Sequence, residues 1–265
     1  MGWSPFGLTV RVDLLPPPLD LRFIEEKHAY RIWSRRQSRW LRIFSVSSVK
    51  RAGSQIPGFD RSNWRRSLQR AGLTAEEAEQ QMDRHTEHRA NVGTDLHNLI
   101  RAYISGGHLG MPCPWILPDT EPAAIFRVWL QEFAPRIRRV LLLEQPLAHR
   151  QLFFAGTPDL VAELDDGRVW LVDWKTKASA EKASPSGDWV HQAEAYRGLV
   201  WHQYGLMPDR AANVIAWHDG LKLCPWSTPE LDLAGEQFRL AIREHHQKRA
   251  LGGCPIHQRA LELMP

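Results

Sequence analysis

The sequence predicts an α/β protein, a central mixed β-sheet flanked by helices, and three observations carry that prediction. Residues Phe154 to Lys177 form two runs rich in apolar and β-branched residues around Asp165-Asp166-Gly167, the turn chemistry of a β-hairpin. Ala211 to His218 and Leu221 to Trp226 form a second strand pair around Asp219-Gly220. Helical segments separate and precede these runs, with start signals at Thr74-Ala75-Glu76-Glu77 and at Asp188. At 265 residues the chain is long enough to bury a substantial core. Its composition divides it into an N-terminal basic elaboration, residues 1–75, and a core, residues 76–265.

Residues 1 to 20 read as irregular, with Pro16-Pro17-Pro18 a stiff extended lead-in. Phe23 to Val46 suggests a hairpin, and Ser45 to Ser48 marks entry into a short helix. A loop at 53–60 leads to a basic helix over Asn63 to Ala71. Thr74 caps a long helix that runs to Ile104, with a bend expected near Gly93. Leu96, Leu99, Ile100 and Tyr103 form its buried stripe, and His97 and Arg101 share an edge of that stripe. Residues 106–120 are a Gly- and Pro-rich loop, followed by a helix from Glu121 that Pro135 must end or kink. Arg138 to Ala148 reads as a strand with Glu144 late in it. A small polar connection, residues 178–187, precedes the helix opened by Asp188. Leu231 to Leu251 reads as a terminal amphipathic helix with Phe238, Leu240 and Ile242 available for burial.

The net charge of +4 conceals an asymmetry. Residues 31–70 hold eleven Lys or Arg against the single acid Asp60, leaving 23 bases against 29 acids elsewhere. Such a block is the electrostatic footprint of a polyanionic partner, and Arg35, Arg36, Arg39, Arg65 and Arg66 are its candidate contacts. Trp33, Trp40, Phe44 and Trp64 are interleaved with it, either to stack on unpaired bases or to turn inward as core. Lys177 and His191 are further candidates for phosphate by proximity. Cys113, Cys224 and Cys254 are far apart and form no CxxC, which argues against a disulfide framework and a zinc ribbon and fits a reducing cytoplasm. Cys254 and His257, even with His245 and His246, lack a full zinc ligand set. No apolar run reaches bilayer-spanning length and no signal segment opens the chain, so the expectation is a cytoplasmic protein without a membrane partner.

The chemistry concentrates in the 154–177 hairpin. Strand side chains alternate, so Trp170, Val172 and Trp174 point one way, into the core, while Leu171, Asp173 and Lys175 point the other. Asp173 and Lys175 stand roughly 7 Å apart along the strand, and Asp159 from the facing strand can converge on them. Two carboxylates suit Mg²⁺ or Mn²⁺, and the lysine can steady or deprotonate an attacking water and offset phosphate charge. The alternative is a surface hairpin on which Asp173 and Lys175 merely pair.

Four stretches extend this pattern: Gly93-Thr94-Asp95-Leu96-His97, Gly156-Thr157-Pro158-Asp159, Asp173-Trp174-Lys175 and Gln192-Ala193-Glu194-Ala195-Tyr196. In order and spacing they resemble the PD-(D/E)xK nuclease superfamily, in particular its RecB-like branch of phage-type exonucleases and Cas4. His28-Ala29-Tyr30 and Ser45-Val46-Ser47-Ser48 resemble the preamble of related phage nucleases, with His28 in a structural role. The resemblance implies a restriction-endonuclease-like core and a deoxyribonuclease that uses one or two Mg²⁺ or Mn²⁺ ions. It implies that His97, Asp159, Asp173 and the carbonyl of Trp174 hold metal, that Lys175 positions the water, and that Gln192 and Tyr196 orient the strand being cut. Glu144 is either near the metal or bonded to neighbouring backbone. An iron-sulfur cluster is not expected, because it needs four cysteines and the chain has three. The implied mode is an exonuclease on single-stranded or duplex DNA ends, in recombination, repair or phage DNA processing. An endonuclease of the same fold and a non-catalytic nucleic-acid-binding module are the alternatives.

Overall fold

The computed structural model describes residues 10–27, 29–58, 60–106, 117–251 and 255–262. His28, Cys113, Cys254 and most of the expected 106–120 loop lie outside the described residues. In chain order the elements begin with β1 (Arg11–Val12), β2 (Leu21–Ile24), β3 (Ala29–Ser34), β4 (Arg39–Ser45), α1 (Val46–Ala52), α2 (Arg61–Arg70), α3 (Ala75–Ile104) and α4 (Glu121–Glu132). There follow β5 (Ile137–Leu143), β6 (Leu147–His149), β7 (Phe154–Gly156), β8 (Leu160–Leu164), β9 (Val169–Thr176) and α5 (Trp189–Tyr204). The chain closes with β10 (Arg210–Trp217), β11 (Gly220–Pro225), α6 (Thr228–Ala250) and α7 (Pro255–Glu262).

Two sheets result. The larger has the order β1-β5-β8-β9-β10-β11 and is mixed: β1 and β5 are parallel, as are β9 and β10, and the other pairs are antiparallel. The parallel pair β9 and β10 is joined through α5, the crossover that such a pair requires. The second sheet, β2-β3-β4-β7-β6, joins the antiparallel meander β2–β3–β4 to the antiparallel pair β7 and β6 through the parallel pairing of β4 with β7. The fold is therefore α/β, with mixed sheets flanked by helices.

Both faces of the larger sheet are covered. Trp170, Val172 and Trp174 pack with Leu96 and Ile100 of α3 and Phe126 and Trp129 of α4. Leu171, on the opposite face of β9, packs with Leu199 of α5 and Phe238 of α6. Both faces of β9 are thus core: a strand between two helical layers is apolar on both sides, and Asp173 is itself buried.

Local chemistry explains the boundaries. Thr74 and Glu77 form a reciprocal capping box, and α3 runs unbroken through Gly93. Gly167 closes the β8–β9 turn at φ 73°, a conformation glycine reaches without Cβ strain. Several expectations shift. The lead-in contributes β1, which pairs with β5. The helix from Glu121 ends at Glu132, and Pro135 sits in a following 3-10 turn. The strand expected over Arg138 to Ala148 is two strands in different sheets, broken after Leu143. The first run of the 154–177 hairpin is likewise divided, because Pro158 has no N–H to give a ladder. The last long helix begins at Thr228, capped by Ser227 and Glu230, and α7 follows it. Phe238 and Ile242 are buried as expected, but Leu240 is exposed. No helix among the described residues is long and apolar enough to cross a membrane.

Candidate functional site

The strand register draws the expected groups into one row. Leu143 of β5 faces Leu160 of β8, Leu160 faces Val172 of β9, and Asp173 faces Asn213 of β10. One step beyond the paired ends, Glu144, Asp159, Asp173 and Asn213 therefore follow one another across four neighbouring strands. The Glu144 N–H donates to the Asp159 carbonyl at 3.0 Å, which locks the first two together. His97 approaches from α3, its Nδ1 3.1 Å from Glu144 Oε1 and 3.7 Å from Asp159 Oδ1.

Donor atoms of His97, Glu144 and Asp159 all lie within 4.8 Å of one another. One imidazole and two carboxylates are a nitrogen and oxygen donor set that fits Mg²⁺ or Mn²⁺. Asp173 is adjacent but outside that group. Its Oδ2 accepts from Asn213 Nδ2 at 2.8 Å and pairs with Lys175 Nζ, while Trp226 Nε1 donates to Asn213 Oδ1 at 3.0 Å. Glu144 thus joins the side-chain group directly. The Trp174 N–H donates to Asp159 Oδ2 at 2.7 Å. A strand residue's carbonyl leaves the same edge as its N–H, so the Trp174 carbonyl also faces the β8 side of β9.

Electrostatics follow from this crowding. Burial raises the Asp159 pKa, Asp173 and Glu144 add to the rise, and His97 and Lys175 oppose it. Burial disfavours charge on His97, but Asp159 and Glu144 outweigh it and hold the imidazole at about 9. Burial likewise acts against Lys175, yet Asp173 and Asp159 raise its pKa. Lys175 therefore stays an ammonium, suited to stabilising negative charge and unsuited to deprotonating water.

Gln192 and Tyr196, four apart on α5, share a face as expected, and they bond each other: Gln192 Nε2 donates to Tyr196 Oη at 2.9 Å. Burial, then Asp173 and Asp159, push the phenol far up, so its O–H remains a donor beside the acids. The ring reaches this place because Gly156 has no side chain; a Cβ there would lie 2.5 Å from Tyr196 Cε1. Tyr30 Oη and Thr157 Oγ1, 2.9 Å apart, brace the segment before Asp159.

The basic candidates are dispersed. Arg35 and Arg36 occupy the exposed β3–β4 tip and Arg39 begins β4, its Nε donating to Gln37 at 2.8 Å. Arg65 and Arg66 lie on α2, which packs on the first half of α3 through Trp64 and His85, whose ring centroids are 5.2 Å apart. His97 is about 18 Å farther along that helix, so these arginines are not part of the acidic row. Lys177 Nζ lies 5.0 Å from the Trp189 ring centroid and Lys175 Nζ 5.6 Å from it, which places both on the α5 side. His191 is turned away, its Nδ1 3.1 Å from the Gly187 carbonyl and its Nε2 2.6 Å from Gln237 Oε1. His246 and His257 are bonded to each other through their Nδ1 atoms at 2.8 Å, and His246 Nε2 lies 3.0 Å from the Leu152 carbonyl. That is a hydrogen-bond bridge from α6 to α7.

Two residues at the site escaped the sequence reading. Asn213 is fully buried in the apolar run RAANVIAW, where a lone amide is itself a signal. Lys50 of α1 is nearly buried and its Nζ donates to Asp188 Oδ2 at 2.7 Å; burial lowers its pKa, Asp188 opposes, and Lys175 and Asp173 both act on it. No sequence signal tied Lys50 to this site. No protein-family model and no curated protein matches the chain.

Proposed function

We propose that this protein is a Mg²⁺- or Mn²⁺-dependent deoxyribonuclease that hydrolyses phosphodiester bonds at DNA ends. The observation that carries the reading is the row of Glu144, Asp159 and Asp173, with His97 facing its first two members and Lys175 paired to the third. The resemblance to the RecB-like branch of PD-(D/E)xK nucleases supports the same assignment and is the ground for preferring DNA ends. His97, Glu144 and Asp159, with Asp173 and the Trp174 carbonyl beside them, would hold the ion. When bound, such an ion supplies a low-pKa water and polarises a phosphoryl oxygen.

The chain's own residues supply the rest. The Lys175 ammonium, held charged by Asp173, offsets negative charge developing on the phosphate in a largely dehydrated setting. Tyr196 keeps its proton for an anionic oxygen, and Gln192 fixes its ring. Asn213 and Trp226 orient Asp173.

End-labelled single- and double-stranded linear DNA and covalently closed circles, incubated with Mg²⁺, Mn²⁺ or chelator, test the proposal. The expected result is degradation of linear substrates only, with either metal, and none in chelator. Asp173→Ala and Lys175→Ala abolish cleavage while the circular dichroism spectrum and DNA binding persist. Cleavage in chelator, or unchanged cleavage by both variants, refutes the assignment; cut circles refute only the restriction to ends.

A further inference from the structure

The meander β2–β3–β4 turns Tyr30, Ile32, Leu41 and Ile43 inward; on its other face Phe44 packs against His245 and Arg249 of α6, while Arg22, Arg31, Trp33 and Arg42 are exposed. On that outer face Arg22 lies opposite Arg31, and Arg31 opposite Arg42. Three arginines thus occupy one row of paired positions across three strands. Two residues along the same face, Trp33 lies opposite Trp40, with ring centroids 5.6 Å apart at 64°. The Arg22 guanidinium carbon is 4.1 Å from the Trp40 ring centroid, while Trp33 is 36% exposed. The hairpin tip beyond the tryptophans carries Arg35, Arg36 and Arg39, all exposed.

This face gives up stability in two ways. Like charges directly opposite one another destabilise a sheet, and an exposed indole forgoes burial. Among the described residues, Arg22, Arg31 and Arg42 form no ion pair with a carboxylate. A partner that removes both costs presents dense negative charge together with flat aromatic rings. Single-stranded DNA has both; a duplex hides its ring faces in the base stack.

We infer that the outer face of this meander is a docking surface for single-stranded DNA, with Trp33 stacking on an unpaired base and the Arg22, Arg31 and Arg42 row neutralising phosphates. The inference rests on the reading that the substrate is DNA. The surface lies on the face opposite Tyr30, whose hydroxyl meets Thr157 next to Asp159. Binding here is therefore separable from cleavage.

Fluorescence anisotropy of a labelled oligo-dT of roughly twenty nucleotides, in chelator and across a salt series, tests it. Trp33→Ala is expected to weaken binding roughly ten- to a hundredfold, with Trp33→Phe close to wild type. Arg31→Gln with Arg42→Gln flattens the dependence of log K on log salt by about 1.4, two phosphates at about 0.7 each. The arginine pair removes repulsion and so retains the fold, which lets it decide the matter alone if Trp33→Ala unfolds. Unchanged affinity and salt slope in folded variants, or equal affinity for a duplex of the same length, overturns the inference. Wild-type protein that binds oligo-dT through these residues but cleaves nothing with Mn²⁺ supports the surface and refutes the nuclease.

Discussion

Gly156→Ala tests the link between backbone and site most directly. The added Cβ would lie 2.5 Å from Tyr196 Cε1 and 3.0 Å from Val46 Cγ2, where ordinary contact begins near 3.4 Å. Roughly 1 Å of relief is needed on a side where the ring is buried and tied to Gln192, and β7 itself is buried throughout. Overpacking of this kind costs about 1–3 kcal/mol. For a chain of this size that lowers Tm by about 2–10 °C, readable by calorimetry or by urea unfolding. The displacement also moves Tyr196 from the acids, so cleavage falls more than stability alone would explain. A double-mutant cycle isolates the cause: in a Tyr196→Leu background, which has no ring at that place, the cost of Gly156→Ala shrinks to that of the Val46 contact. A Tm unchanged within about 1 °C in Gly156→Ala, or a cost fully retained beside Tyr196→Leu, refutes the reasoning.

The backbone at Glu144 has φ 44°, strained for a glutamate and tolerated by asparagine. Glu144→Asn therefore keeps or raises Tm while cleavage falls about a hundredfold or more; a large loss of Tm with retained activity contradicts the role given to Glu144. Mn²⁺ at about a hundred times its Kd is expected to stabilise wild-type protein by ~2.7 kcal/mol in thermal unfolding, and Asp159→Asn largely removes that gain. Lys50→Met strands Asp188 without its partner and costs about 1–3 kcal/mol, tempered by the partial exposure of Asp188; Asp188→Asn with Lys50→Met recovers much of it. His149 and His245 are lowered to about 4, chiefly by burial. The unfolded chain takes up these protons first, so the stability both provide is complete above pH ~6.5 and is lost as pH falls toward ~4. Unfolding free energies from urea titrations at pH 7.5 and 5 should differ by about 1 kcal/mol per histidine after allowance for solvent screening, and His149→Gln with His245→Gln flattens the difference.

The parts legible in the sequence were those set by local rules. The period of two in Val169–Thr176 placed Asp173 and Lys175 on one face, the Thr74 capping box fixed where α3 starts, and four-residue spacing paired Gln192 with Tyr196. What was not legible depends on register between distant segments. Glu144 was undecided because β5 meets β8 with two register shifts, between Ile137 and Arg139 and between Val140 and Leu142. Such irregularities re-aim side chains at a strand end, and no pattern in RRVLLLEQPLA announces them. Asn213 joined the row only through the parallel pairing of β9 with β10, and Lys50 only through the packing of α1 beside α5. The basic block was legible as charge, but the alignment of Arg22, Arg31 and Arg42 required the strand pairing.

The charge balance of the row explains why these groups coexist in a nearly dry place. Three carboxylates on adjacent strands repel one another, and burial removes the water that would screen them. Lys175 settles Asp173, and Asn213 adds a neutral donor to the same oxygen. Asp159 shares Lys175 with Asp173, and the positive charge that Glu144 and Asp159 both meet is the proton on His97, whose pKa they hold at about 9. If an ion binds as proposed, that proton and the divalent cation are alternative occupants of the same electrostatic niche. His97→Gln, which keeps the shape and removes the charge, separates their contributions: it leaves two carboxylates uncompensated, so metal-free Tm falls, while added Mn²⁺ restores more stability than it gives the wild type. If the variant is equally stable without metal, the imidazolium is not what holds the row together.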